Sequence, residues 1–173
     1  MSEVAELQEE ASGIATDDMG ISQSVDAENQ YITFKINNEE YATPILTVQE
    51  IRGWMPTTPL PNTPQYVRGV TNLRGNIVPV FDLQARFQDV LTEVTERHVV
   101  IMADIKGRTI GLLVDAISDI LTIETESIQP PPDSNMTVET QYLDGLVTAD
   151  KRMVAIVNIP KLFDMKMVDQ IQQ

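Results

Sequence analysis

"QYVRGVTNLRGNIVPVFDLQARF" (residues 65–87) returns in modified form as "QYLDGLVTADKRMVAIVNIPKLF" (residues 141–163). Five residues of the first copy are identical at the same offset in the second, namely Gln65, Tyr66, Gly69, Val78 and Phe87. The apolar positions around them also match, and the alignment needs no gap. A repeat of this kind predicts a duplicated structural unit.

The preceding part of the chain repeats as well, with a slightly shorter offset. "YATPILTVQEI" (41–51) aligns with "IGLLVDAISDI" (110–120), and the difference between the two offsets falls in proline-rich connectors. The two copies therefore extend over about 31–87 and 98–163. Each copy has the length of a small barrel of about five strands, the size range of SH3-like folds.

Short β-branched and apolar runs, separated by turn residues, continue from Tyr31 onward and predict an all-β protein. Short helices are expected only at "FDLQARF" (81–87) and "IPKLFDM" (159–165). Barrels of roughly 60 residues are marginally stable alone. We therefore expect two SH3-like five-stranded β-barrels, related by a pseudo-twofold internal repeat, which share a hydrophobic core.

Three segments are expected along the chain. Residues 1–29 contain eight acidic residues, no Lys or Arg and no aromatic residue, so they are predicted to form a disordered acidic tail. Residues 30–165 form the folded domain with both barrels. Residues 166–173 are predicted to be a C-terminal tail.

Composition excludes several classes of function. The formal net charge of −14 argues against binding nucleic acid or an anionic membrane surface. The chain has no cysteine, which removes disulfides and thiolate metal ligands. No apolar run reaches the ~18 residues of a membrane span, and no signal peptide is visible. The expectation is a cytoplasmic protein without membrane insertion.

Residues that could support catalysis are sparse. His98 is the only histidine, and it stands at the start of an apolar strand, where a structural role is expected. Neither a nucleophile elbow nor a phosphate-binding glycine loop is present. We predict no catalytic residue, no metal site and no cofactor. An enzyme using His98, with the ring beside carboxylates in a cleft, is the alternative from another class.

The turn Arg74-Gly75 differs from its counterpart Asp150-Lys151 in the second copy. Glycine suits the positive φ of a tight turn, whereas the second copy builds the same turn without arginine. Arg74 is therefore either a solvated turn residue or a recognition residue. Glu50 and Arg52, in "VQEIRG", are either a local exposed ion pair or part of a binding surface.

The runs "VQEIRG" (48–53) and "GVTNLRGNIVPVFDL" (69–83), with the segments that follow to about residue 164, closely resemble the CheW family of bacterial chemotaxis coupling proteins. The resemblance implies two SH3-like barrels and a non-catalytic adaptor that supports array assembly. It implies two partners, the cytoplasmic hairpin tip of chemoreceptors and the regulatory domain of the histidine kinase CheA. It also implies a cytoplasmic protein that is recruited to membrane-associated receptor arrays.

By residue match, the resemblance assigns receptor contact to Val48, Glu50, Ile51, Gly69 and Arg74. Two alternatives remain at this point: a CheW-like scaffold of a non-flagellar pathway, such as surface motility or biofilm control, and a carbohydrate- or nucleic-acid-binding β-barrel. The chain also departs from the usual family pattern at "YATPI" (41–45). Its Pro44 predicts that the strand is an edge, or is bulged, at Pro44, because proline cannot donate a ladder hydrogen bond.

Overall fold

A computed structural model describes residues 27–131 and 140–172, and ten strands form the main secondary structure of this part of the chain. The strands are β1 (Gln30–Ile36), β2 (Glu39–Pro44), β3 (Val48–Gly53), β4 (Val67–Leu73), β5 (Asn76–Asp82), β6 (Val99–Ile105), β7 (Arg108–Val114), β8 (Ala116–Thr122), β9 (Leu143–Ala149) and β10 (Arg152–Val157). The helices are α1 (Leu83–Gln88), α2 (Ile159–Leu162) and α3 (Met165–Gln172). Strands β1–β5 correspond in order to β6–β10, so the predicted internal repeat is confirmed.

The strands form two five-stranded sheets. The first barrel has the order β8-β1-β2-β10-β9, and the second has the equivalent order β3-β6-β7-β5-β4. Each barrel thus takes its central hairpin from one copy of the repeat and its other three strands from the other copy. The expectation that the copies 31–87 and 98–163 each form a barrel of their own is corrected by this exchange, while the two-barrel fold itself is confirmed.

Two parallel pairings hold the exchanged hairpins in place. Strand β2 pairs with β10, and β7 pairs with β5, each through three residue pairs. All the other pairings are antiparallel. Because β2 lies between β1 and β10, it is not an edge strand over its whole length, and its pairing with β1 has no bulge. Pro44 is the last residue of β2 and lies beyond the parallel pairing, so the strand is an edge at Pro44 itself, where the missing N–H removes no hydrogen bond to β10.

The hydrophobic core has three parts. The largest part lies between the barrels, as the sequence predicted, and includes Phe34, Tyr41, Phe81, Ile101 and Phe163. Leu73, Val80, Val100, Met102 and Leu113 form a second cluster, against which Trp54 packs. Ala42, Ile123, Val147, Val154 and Ile156 form the third. Phe81 and Phe163, from different copies of the repeat, stack with ring centroids 4.2 Å apart.

Arg86 joins the two copies from α1. Its guanidinium lies over the equivalent rings of Tyr66 and Tyr142, at 5.2 and 4.6 Å from their centroids, and its Nε donates to the Leu162 carbonyl oxygen at 2.7 Å. Burial raises the pKa of Tyr66, and Arg86 partly opposes this rise because a nearby cation favours the phenolate. The Arg86 guanidinium therefore contacts one tyrosine ring from each copy of the repeat.

Helix α3 extends the fold beyond the repeat. Residues 166–173 were predicted to be a tail, but α3 runs from Met165 to Gln172, and Val168 is fully buried in the core between the barrels. Met165, Met167 and Ile171 also pack against this core, and their burial stabilises α3. The repeat could not predict this helix, because the first copy has no equivalent helix. The prediction for the acidic tail lies outside the described residues, except for residues 27–29.

Candidate functional site

The residues assigned to receptor contact fall on β3, β4 and the turn that follows β4. Val48, at the start of β3, is half-buried against the core between the barrels, whereas Ile51 is 41% exposed. The pairing of β3 with β6 shifts by one residue between Val48 and Glu50. The resulting bulge at Gln49 changes the alternation of side chains, as bulges do at sheet edges.

Arg74 and Gly75 form a two-residue turn between β4 and β5. Their φ angles are +51° and +87°, and both therefore lie in the left-handed region that a type I′ hairpin turn requires. The Asn72 side-chain oxygen accepts a hydrogen bond from the Gly75 N–H at 2.8 Å. The glycine prediction is thus met, and the arginine side chain is held at the outer end of the hairpin.

Glu50 and Arg74 form an ion pair, with Arg74 Nη2 2.6 Å from Glu50 Oε1. The pair connects the two edges of the second barrel, because Glu50 lies on β3 and Arg74 directly follows β4. The Arg74 side chain is 71% exposed and that of Glu50 is 28% exposed. An exposed pair of this kind contributes up to about 1 kcal/mol to stability, so it orients the guanidinium more than it stabilises the fold.

Gly69 is buried, and its backbone conformation excludes other residues. Its φ is +133°, and a Cβ at this position would lie 2.3 Å from the Thr58 carbonyl oxygen. Thr58 bridges to Val70 as a short additional strand segment. Gly69 therefore allows the proline-rich connector to pair with β4, and it exposes no side chain of its own.

Exposed apolar side chains occur at equivalent positions of the two barrels. Ile51 corresponds to Ile120, which is 51% exposed, and Ile77, at the start of β5, corresponds to Met153. The exposure of these four residues shows that some matched positions are surface positions.

A cavity of about 440 Å³ next to Arg74 was not predicted. It lies between β3, the β4–β5 turn and the β6–β7 turn, and its lining includes Gln49, Arg74, Ile77, Arg108 and Thr109. Thr109 Oγ1 donates to Gln49 Oε1 at 3.0 Å across the cavity wall. Because Gln49 and Thr109 are 60 residues apart in sequence, no local pattern could have brought them together.

His98 connects three loops. Its Nδ1 accepts a hydrogen bond from the Thr95 N–H at 3.0 Å, and its Nε2 lies 3.3 Å from Asp115 Oδ1. The other oxygen of Asp115 accepts from the Asn37 N–H at 2.8 Å. Both ring nitrogens are thus engaged in contacts that hold the start of β6 to the β1–β2 turn.

Within residues 27–131 and 140–172, no group of three or more His, Asp and Glu residues is arranged to hold a metal ion. Among the same residues, every helix is too short or too polar to span a bilayer.

The fold and this surface define a two-barrel β protein, and comparison with known proteins assigns it to a family. The chain matches the CheW-like domain over residues 30–167. A probable chemotaxis protein CheW of Rhizobium etli is 43% identical over 136 residues, which are 79% of this chain and 88% of that protein. The chemotaxis protein CheW of Klebsiella aerogenes is 41% identical over 145 residues, which are 82% of this chain and 87% of that protein.

The structure is also similar to a solved one. The crystal structure of scaffolding protein TtCheW from Thermoanaerobacter tengcongensis matches it with a TM-score of 0.73 at 32% identity, covering 79% of this chain and 88% of that chain. The chain therefore belongs to the CheW-like family, as its sequence indicated.

Proposed function

We propose that this protein is a non-catalytic chemotaxis adaptor, which couples the cytoplasmic hairpin tip of chemoreceptors to the regulatory domain of a CheA-type histidine kinase. The observation that carries the proposal is the match to the CheW-like domain over residues 30–167. In this role the protein works in the cytoplasm and is recruited to receptor arrays. Residues 30–165 hold the adaptor domain, continued by helix α3.

We assign receptor contact to the surface formed by β3 and the β4–β5 turn. Ile51 supplies exposed apolar area, and Arg74 presents a cation at a defined place because Glu50 holds it. Val48 and Gly69 support this surface indirectly. Val48 packs against the core beneath β3, and Gly69 lets the proline-rich connector lie against β4. A charge at the rim of an interface affects association rate and specificity more than total affinity.

The test is a calorimetric titration of a receptor hairpin-tip fragment, and separately of the CheA regulatory domain, into the full chain. We expect both partners to bind, and we expect Arg74→Glu to weaken receptor binding about tenfold or more while leaving kinase binding unchanged. If neither partner binds a folded wild-type chain, the proposed function is wrong.

The first barrel provides a matched control. Arg152 is an exposed arginine on β10 that pairs with Glu40 at 2.8 Å, much as Arg74 pairs with Glu50. Arg152→Glu therefore introduces the same charge reversal outside the proposed surface. Receptor affinity should remain at the wild-type value, and an equal loss in both variants would mean that only net charge matters.

The variant Glu50→Arg/Arg74→Glu separates contact from positioning. The swapped pair restores the ion pair within the chain, so its thermal stability should return to the wild-type value. Receptor binding should stay weak, since the guanidinium then stands at a different place. Full recovery of binding would show that the ion pair matters and that Arg74 makes no contact of its own.

A further inference from the structure

The cavity next to Arg74 is lined by cationic and neutral side chains, although the protein as a whole is acidic. Two arginines, Arg74 and Arg108, are among its lining residues, and the remaining polar lining consists of amides and a hydroxyl. None of the described residues lining it carries a carboxylate. In a chain with a net charge of −14, this is a local concentration of cationic and neutral hydrogen-bond donors.

Each guanidinium is oriented by a carboxylate that stands outside the lining. Arg74 contacts Glu50 through Nη2, and Arg108 forms an ion pair with Asp169 of α3 through Nε. A guanidinium carries five N–H donors in a planar fork, and each of these ion pairs uses one nitrogen. Arg108 Nη1 also donates to the Lys106 carbonyl oxygen, at 3.5 Å. The donors that remain, including those of Arg108 Nη2, can bind a further anion, and the fork geometry favours a carboxylate held by two bonds.

We propose that this cavity, with Arg74 and Arg108 as its binding residues, receives a carboxylate side chain of the chemoreceptor helix that docks on the surface of β3 and the β4–β5 turn. This inference rests on the proposed function. The cavity is continuous with that surface, because Arg74 belongs to both and the exposed Ile77 lies at its rim. Its volume of about 440 Å³ accommodates a Glu or Asp side chain together with water.

Arg108 is the residue that distinguishes this proposal, since the sequence assigned no role to it. In the full chain, Arg108→Gln should weaken binding of the receptor fragment three- to tenfold in calorimetry and should reduce the dependence of affinity on salt. Replacement of the acidic residues of the fragment by their amides, one at a time, should identify one residue whose effect disappears in Arg108→Gln. If no such residue exists, the proposal is wrong.

Asp169→Asn is the control for an indirect effect through α3. It removes the same ion pair, but it leaves the guanidinium of Arg108 in place with one more donor available. Receptor affinity should therefore equal or exceed that of the wild type. If Asp169→Asn and Arg108→Gln weaken binding equally, Arg108 acts by holding α3, and the cavity does not bind the receptor.

Two further outcomes are distinguishable. If Arg74→Glu weakens receptor binding and Arg108→Gln does not, the cavity proposal fails while the adaptor function stands. Sodium glutamate titrated alone should give no measurable heat, because a single carboxylate without the docked helix lacks the apolar contacts of the interface. Tight binding of free glutamate would assign the cavity to a small molecule and overturn the proposal.

Discussion

Gly69 and Gly145 occupy equivalent positions, and both lie against a short bridging segment. A Cβ at Gly69 would lie 2.3 Å from the Thr58 carbonyl oxygen, and one at Gly145 would lie 2.7 Å from that of Gln129. Hydrogen bonds join Thr58 to Val70 and Gln129 to Leu146. The identity of these glycines in the repeat therefore follows from a requirement of the fold, which arises where each connector crosses the edge of a barrel.

Replacement of Gly69 by alanine should destabilise the protein by about 2 kcal/mol or more, because it adds a steric clash with backbone to a φ angle that L-residues avoid. Gly53→Ala is the control, since a Cβ there meets nothing within 4 Å. Urea unfolding monitored by circular dichroism measures both variants. Equal stability of the two variants would contradict the structure at the connector.

Tyr41 makes stability depend on alkaline pH. Burial raises the pKa of Tyr41 above its ordinary value near 10, and the Glu39 carboxylate, which accepts from the phenol at 2.6 Å, raises it further. The unfolded chain therefore loses this proton at a lower pH than the folded protein does. The stabilising contribution is complete below about pH 10 and is lost as pH rises towards the folded pKa.

We expect Tyr41→Phe to reduce the free energy of unfolding by about 1.5–3 kcal/mol at neutral pH, since a partly buried hydrogen bond to a charged group is lost. The difference between wild type and variant should become smaller above about pH 10. Urea unfolding at a series of pH values gives this difference directly. Parallel profiles for the two proteins would mean that Tyr41 ionises equally in both states.

At the scale of elements, the connection between β5 and α1 depends on one buried carboxylate. Asp82 accepts from the Ala85 N–H at the start of α1, and from both the N–H and the hydroxyl of Thr92. Arg68 Nη1 lies 3.8 Å from Asp82 Oδ2. The equivalent Asn158 caps α2 by accepting from the Lys161 N–H alone. Asp82 is therefore both a helix cap and the anchor of the loop that follows α1.

We expect Asp82→Asn to destabilise the protein by about 2–3 kcal/mol, because the new amide places an N–H against the Thr92 N–H and removes the anion beside Arg68. Asn158→Ala removes a helix cap and an exposed hydrogen bond from Asn158 Nδ2 to Asp144, and it should cost about 1 kcal/mol because both groups of that bond return to water. Thermal unfolding of both variants checks the order. A larger loss in Asn158→Ala would show that the anchoring of Thr92 contributes little.

The elements that the sequence predicted are those which depend on local patterns. Short β-branched and apolar runs between turn residues predicted the strands, and short helices were predicted at the places of α1 and α2. The exchange of hairpins was not predicted, since the pairing of β2 with β10 and of β7 with β5 leaves no local signal. Pro44 predicted an edge correctly at its own position, where the parallel pairing has already ended at Ala42, but it could not show that the rest of β2 lies inside the sheet.

The candidate site was predictable only in part. The family resemblance nominated Glu50 and Arg74 separately, whereas their contact depends on the closure of the second barrel. No sequence pattern indicated a role for Arg108. It lines the same cavity as Arg74 because the β6–β7 turn lies beside the β4–β5 turn, and its partner Asp169 is on α3. Contacts between residues far apart in sequence, which define the surface, come from the tertiary arrangement alone.

At the scale of the whole molecule, the hairpin exchange makes the two barrels depend on each other. Each barrel contains strands from both copies, and the largest cluster of buried side chains lies between them. Neither copy of the repeat can complete a barrel without the other. The barrels should therefore unfold in one cooperative transition, although each has an interior cluster of its own.

This coupling can be tested by a substitution at Ile156 in one barrel and the fluorescence of Trp54 in the other. Ile156 is buried inside the first barrel, and Trp54, the only tryptophan of the chain, packs on the interior of the second. Ile156→Ala should reduce the free energy of unfolding by about 2–5 kcal/mol, because it leaves a cavity in a packed interior. If the barrels unfold together, the urea midpoint of Trp54 fluorescence should fall as far as that of circular dichroism, although the substitution lies in the other barrel. If Trp54 fluorescence keeps its wild-type midpoint while circular dichroism shows two transitions, the barrels are independent, and the exchange of hairpins does not couple them.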